Sequence, residues 1–310
     1  MAQVPRRARN SRTSSPTTRC LSHKGAAKTM SALESFSLTG PDGERIRGDR
    51  AAGKDRQILF ITGFLSKRWG NKSKALAQWC EEKGWGFCCY DVRGFGDSEG
   101  RFIDYTLSDW IADARLVFDS LKNGPHLTRP PQALFHPPAP SLSNQAHFPM
   151  DAPHPRVTIV GNSLGGWIAW LLAQECHEVE RLVLIAPAFN MMGLRARSID
   201  PERCHEWHSG GWMPWDDDPL HKDWPLSWKW VEESEAYWKT SFDRLRSVST
   251  AILHGQQDSV ILPSGSSQFV EQLRSLAPSF PIDLHLVPGD HRLSSPEHLE
   301  LFQRLVQRRD

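Results

Sequence analysis

The chain has no CxxC pair among its six cysteines, no lysine-bearing phosphate loop and almost no net charge, +1 over 310 residues. Each absence removes a class of function. Cys20, Cys80, Cys88, Cys89, Cys176 and Cys204 are scattered, and Cys88 and Cys89 stand side by side in an apolar run. That distribution suits reduced, mostly buried thiols and not a disulfide framework. The small net charge hides an asymmetry. Arg6, Arg7, Arg9, Arg12, Arg19, Lys24 and Lys28 precede the first acid, Glu34, and setting those seven aside leaves 30 basic against 36 acidic residues. A body that is mildly acidic offers no electrostatic footprint for nucleic acid, so no nucleic-acid partner is expected.

A membrane span is lacking too. Residues 157–174 carry no formal charge and approach the necessary length, but Gly161, Gly165 and Gly166 interrupt them. A strand followed by a helix explains the stretch better, and no transmembrane segment is expected. Residues 1–32 lack acids and any apolar core of a secretory signal while being rich in Arg and Ser. They read equally as an organelle transit peptide or as a basic disordered tail, with Met30 a candidate true start.

What is present is a succession of short apolar runs with helical stretches between them, the pattern of βαβ units building a parallel sheet. The runs are 57–62, 86–91, 157–161, 181–186, 251–254 and 282–287, with a further strand near 35–38. They predict an α/β chain with a mostly parallel sheet of seven or eight strands. Helical spacing of apolar residues marks 74–83, 106–121, 164–176, 266–276 and 296–308. The domain spans 33–310 with two interruptions: a Pro-rich segment, 122–156, read as a flexible insertion, and a segment, 189–240, read as a cap. The cap carries Trp207, Trp212, Trp215, Trp224, Trp228, Trp230 and Trp238, seven of the thirteen tryptophans. Such rings could line an apolar acyl pocket or pin the cap to the body, and pinning is the favoured reading.

The run Gly161-Asn162-Ser163-Leu164-Gly165 follows an apolar strand and opens a helix. In that context GxSxG reads as a nucleophile elbow, with glycines allowing close backbone packing around a strained turn that presents Ser163. A serine hydroxyl needs a positioned base, and the base needs an acid to hold its tautomer. Asp258 follows the run 251–254, and His291 follows the run 282–287 through Pro288-Gly289-Asp290. Both are therefore expected on the sheet edge that carries Ser163, in the order nucleophile, acid, base. Asp200 is a second candidate for the acid. His254 and His285 fall within strands and read as core or edge residues, and Asp290 as a turn former. The oxyanion needs two backbone amides, expected from Leu164 and from Phe64 in the loop after the run 57–62.

The stretch from Asp91 to Ser98 lacks the GxGxxG spacing and the Walker lysine of phosphate loops. It reads as a structural turn in which Asp91, Arg93, Asp97 and Ser98 hold one another. Cys204, His205 and His208 have no fourth ligand in register and read as a surface cluster. No metal and no cofactor is expected.

Together, Gly63-Phe64-Leu65-Ser66, the DxRGxGxSxG stretch from Asp91 to Gly100, Gly161 to Trp167 and Asp290-His291-Arg292 resemble the α/β-hydrolase family. The resemblance covers most of 34–121 and 157–308. Within the family they look like the branch of mitochondrial palmitoyl-protein thioesterases that also act as acyl-glucuronide esterases. That resemblance implies an α/β-hydrolase fold with the cap inserted before the acid-bearing strand, cofactor-free cleavage of acyl esters or thioesters of small molecules or acylated proteins, and catalytic residues at Ser163, Asp258 and His291. It also implies a mitochondrial location, or a cytoplasmic one if residues 1–32 are not a transit peptide. The Pro-rich insertion and the Trp-rich cap depart from the branch. A carboxylesterase, lipase or peptidase of the same fold is the first rival, and a non-catalytic binding protein on a hydrolase scaffold the second.

Overall fold

The computed structural model describes residues 33–123, 156–214 and 224–308, and the statements below concern these. Eight strands form one sheet: β1 (Glu34–Thr39), β2 (Arg45–Ala51), β3 (Gln57–Ile61), β4 (Gly86–Tyr90), β5 (Val157–Asn162), β6 (Val179–Ile185), β7 (Ser249–Gly255) and β8 (Ile282–Val287). Their spatial order is β1-β2-β4-β3-β5-β6-β7-β8. The first two strands form a hairpin and β2 joins β4 antiparallel, while every pairing from β4 through β8 is parallel. Parallel strands covered on both faces are apolar in succession, as the buried runs of β3 and β4 are.

The period of two divides each run between two cores. Leu59, Ile61, Cys88, Ile159, Leu182 and Ile252 face one cluster, built with α2 (Leu107–Asn123), α3 (Leu164–Glu175) and α7 (Pro263–Leu276). Ile58, Phe60, Cys89, Val160, Val183 and Leu253 face the other, built with α1 (Asn71–Lys83) and α8 (Pro296–Gln307). Cys88 and Cys89 thus point to opposite faces, and neither meets a disulfide partner. Burial pushes the thiols of Cys80 and Cys176 up to about 12, far from thiolate reactivity at neutral pH.

Helix α3 is buried nearly all round because it runs between the sheet and neighbouring helices, in contact with β5, β6 and α2. Between β6 and β7 lie α4 (Met191–Ser198), α5 (Pro201–Gly210) and α6 (Lys229–Thr240), the described part of the cap segment. One carboxylate ties the cap to the body. Glu233 of α6 accepts hydrogen bonds from the Ser108 amide at 2.8 Å and the Thr106 hydroxyl at 3.0 Å, satisfying the start of α2.

Three expectations need adjustment. Strand β2 has no counterpart among the predicted runs. Its sequence RIRGDRA offers one buried aliphatic side chain, Ile46, and its Asp49 is buried through pairing with Arg68, Ser35 and Trp69. The insertion starts later than 122, because α2 continues through Asn123; the remainder, 124–155, lies outside the described residues, as do 1–32 and Trp215. Within the Asp91 turn, Asp97 N and Ser98 Oγ do bond to Asp91, at 3.0 and 2.7 Å. Arg93, however, leaves that group. It reaches Asp113 from Nε at 2.6 Å and from its amide at 2.8 Å, and Asp42 at 2.8 Å. Arg68 takes its place, bonding Asp91 and Asp97. A guanidinium buried to 2% exposure needs a buried acid on an adjoining element, and Asp113 of α2 is fully buried beside it.

Replacing Asp113 with Ala strands the Arg93 guanidinium with Asp42 as its remaining acid. We expect a loss of about 3 kcal/mol of folding stability in urea melts, and an unchanged midpoint would contradict the pairing's importance.

Candidate active site

Ser163 sits between the last residue of β5 and the first of α3, with φ 53 and ψ −123. A non-glycine residue held there costs about 1–3 kcal/mol, so the surroundings must hold it. They do so by backbone. The Ser163 amide donates to the Ile185 carbonyl at 2.8 Å, and its carbonyl accepts from Gly166 at 2.8 Å and Ala188 at 3.0 Å. Close approach supplies the rest. A Cβ on Gly161 would stand 2.3 Å from the Gly165 carbonyl oxygen, and one on Gly165 would stand 2.2 Å from that of Thr62. Helix α3 therefore lies against the end of β3 at a distance that only hydrogen atoms permit.

Strands β5, β7 and β8 are parallel, so their carboxyl ends share one edge of the sheet. Asp258 stands three residues beyond β7 and His291 four beyond β8. The structure brings both to Ser163. His291 Nδ1 donates to Asp258 Oδ2 at 2.7 Å, and His291 Nε2 lies 3.2 Å from Ser163 Oγ. Asp258 Oδ1 accepts from the amides of Val260 at 2.9 Å and Ile261 at 2.8 Å. The carboxylate is thereby held in place by donors, and its side chain is fully buried. The imidazole above it keeps 22% exposure, open to a reactant.

The competing residues have other partners. Asp200 caps α5, accepting from Glu202 N at 2.9 Å and Arg203 N at 3.3 Å. Asp290 Oδ1 accepts from Arg292 N at 3.0 Å, a turn bond. His208, of the Cys204-His205-His208 group on α5, packs its ring on Trp228 at 4.8 Å. His254 is buried as expected, but it does more than fill the core: Nε2 lies 3.1 Å from Asp258 Oδ2. Sequence reasoning passed over that contact. The spacing His254-Gly-Gln-Gln-Asp258 across a strand-ending turn was the available signal.

The amides expected to receive an oxyanion belong to Phe64, in the loop after β3, and to Leu164, the first residue of α3. A Cβ on Gly63 would lie 3.1 Å from Ser163 Cβ, so the loop after β3 runs directly against the elbow. Neither the Phe64 nor the Leu164 amide donates a hydrogen bond among the described residues. The loop is anchored at its far end. Arg68 donates from its amide to Asp91 Oδ1 at 2.6 Å and from Nε to Asp49 Oδ2 at 2.7 Å. The Phe64 ring packs on Phe102, Trp110 and Trp230, with centroids 5.9, 5.8 and 5.6 Å away.

Residues 58–309 match the alpha/beta hydrolase family. The chain belongs to that family. Among curated relatives it is similar to the bovine (Bos taurus) palmitoyl-protein thioesterase ABHD10, mitochondrial, with 22% identity over 271 residues, covering 86% of this chain and 76% of the relative. A solved structure from Agrobacterium vitis shares the fold at a TM-score of 0.71 and 23% identity, covering 89% of this chain and 98% of that one. Est1E from Butyrivibrio proteoclasticus, solved with ferulic acid bound, shares it at 0.63 and 21% identity, covering 88% and 96%.

In this hydrolase the cap's tryptophans divide by role. Trp207 and Trp230 are buried; Trp207 Nε1 donates to the Leu226 carbonyl at 3.0 Å, and Trp230 packs on Trp110 at 4.9 Å. Trp224, Trp228 and Trp238 are partly buried against the core, and Trp212 is exposed. Packing thus accounts for most of the described rings. Through Trp230 and Phe64 the cap touches the loop after β3.

Gly165→Ala places a methyl group against two carbonyl oxygens of the β3 end. The expected loss is about 3 kcal/mol of stability, read by thermal and urea melts; a wild-type melt would contradict the close packing described here.

Proposed function

We propose that the chain is a serine hydrolase of acyl thioesters or esters, with Ser163 as nucleophile, His291 as general base and Asp258 as the acid that orients it. The observation that carries this reading is the unbroken relay from Asp258 Oδ2 through both nitrogens of His291 to Ser163 Oγ, 2.7 and 3.2 Å long. A binding protein on the same scaffold would have no need of that relay.

Ser163 Oγ attacks the acyl carbonyl carbon while its proton passes to His291 Nε2. The amides of Phe64 and Leu164 receive the oxyanion, assisted by the start of α3. As the carbonyl re-forms, His291 returns the proton to the departing thiolate or alkoxide. Water then attacks the acyl-enzyme by the same route, with His291 as base, and the carboxylic acid leaves. Asp258 keeps the Nδ1 proton on His291 and stabilises the imidazolium formed in each half. No step calls on a metal or cofactor.

The substrate we favour is a long-chain acyl thioester on a protein, or an acyl glucuronide. The support is the likeness to the palmitoyl-protein thioesterases. A mitochondrial site of action is supported by the same likeness and by the basic, acid-free composition of residues 1–32. The ferulic acid bound in Est1E, a carboxylic acid, accords with the oxygen-ester alternative.

Assay of palmitoyl and acetyl thioesters, p-nitrophenyl esters, an acyl glucuronide and a peptide anilide separates these outcomes. We expect thioesters and esters to be cleaved and the anilide to survive. Ser163→Ala and His291→Ala should each lower kcat by about a thousandfold or more with the fold retained by circular dichroism. Undiminished turnover by Ser163→Ala would overturn the reading, and preferential anilide cleavage would replace it with a peptidase.

A further inference from the structure

One buried titratable group touches the relay and has no part in the steps above. His254, the penultimate residue of β7, is fully buried, and both its ring nitrogens have partners. Nε2 lies 3.1 Å from Asp258 Oδ2 and 2.9 Å from the Ile261 carbonyl; Nδ1 lies 2.8 Å from Ser266 Oγ on α7.

We propose that His254 is a positioning residue for the relay, a neutral imidazole whose Nε2 proton holds Asp258 Oδ2 where His291 meets it. This rests on the assignment of Asp258 and His291 above. The tautomer follows from the partners. The Ile261 peptide carbonyl only accepts, so the proton must sit on Nε2, shared between that carbonyl and Asp258 Oδ2. Nδ1 is then bare, and the Ser266 hydroxyl donates to it. Burial holds the imidazole pKa below its ordinary value and keeps the ring neutral.

The consequence lies at one oxygen. Asp258 Oδ1 is occupied by the Val260 and Ile261 amides, and Oδ2 takes donors from His254 on one side and His291 on the other. With four donors in place the carboxylate cannot rotate. Ile261 is bonded at both its amide and its carbonyl, so the 258–261 turn, the carboxylate and His254 form one closed unit. Loss of the ring would free Oδ2 to swing, misorienting His291 without removing any reacting group.

The test uses the full chain with histidine nitrogens labelled for NMR, and the rate of covalent labelling by a fluorophosphonate probe. In the wild type, His254 should carry its proton on Nε2 with Nδ1 bare. His254→Leu should slow labelling about tenfold, the scale of one lost hydrogen bond to a charged group, and should broaden or move the low-field His291 Nδ1 proton. His254→Gln, whose amide can still donate to Oδ2, should recover most of the rate and that resonance. A wild-type proton on Nδ1 of His254, or a folded His254→Leu with unchanged rate and resonance, would overturn the inference. Should His254→Leu not fold, the wild-type tautomer and His254→Gln decide together: a proton on Nδ1, or a folded His254→Gln labelled about tenfold more slowly than wild type, overturns the inference. Ser163→Ala serves as the separate control: labelling that persists there defeats the hydrolase reading itself, whereas its loss leaves that reading standing whatever His254 does.

Discussion

A serine at φ 53 stays there only if the chain around it has nowhere else to go, and the architecture of this protein is arranged around that clamp. Strand β5 delivers the backbone to the elbow, β6 accepts the Ser163 amide at 2.8 Å, and α3 departs so close to β3 that a single methyl group on Gly165 would collide with two carbonyl oxygens. The central position of β5 in the sheet provides neighbours on both sides from which to hold it. The same clamp leaves the amide of Leu164 at the free start of a helix, where a developing negative charge is favoured.

The partners of the serine are held by independent devices, so that each arrives oriented. Asp258 is immobilised by amides of its own turn and by His254; His291 is limited to a 22% exposed position by the loop after β8. The loop bearing Phe64 is anchored through Arg68 to three carboxylates, Asp49, Asp91 and Asp97. Hydrogen bonding and Coulombic attraction in that cluster keep Asp49 below the usual carboxylate range against the opposing effect of burial. The polar turn after β4 thus acts as a mooring for the loop beside Ser163, which gives that glycine-rich stretch a structural role.

Much of this was legible in the residues. The parallel strands were visible because doubly covered strands are apolar in unbroken runs, and Ser163, Asp258 and His291 could be placed on one edge because each follows such a run. What was not legible has particular causes. Strand β2 is polar because its buried charge, Asp49, is neutralised by residues on a distant loop. Arg93 was read with its sequence neighbours although its acid, Asp113, is 20 residues away on α2. His254 looked like a core histidine, and it is one; its bond to Asp258 depends on the turn geometry between them. The tryptophans gave composition without partners, and only packing distinguishes Trp230 against Phe64 from the exposed Trp212. Non-local pairing is the common element for β2, Arg93 and the tryptophans, whereas for His254 the local turn decides.

The central claim is that Ser163 is the one activated hydroxyl on this sheet edge. Mass spectrometry of the intact, folded chain after reaction with a fluorophosphonate, followed by peptide mapping, tests it most directly. The account predicts a single adduct, on the peptide containing Gly161-Asn162-Ser163-Leu164-Gly165 and localised to Ser163. An adduct on any other residue, or none on a protein that hydrolyses esters, would contradict it.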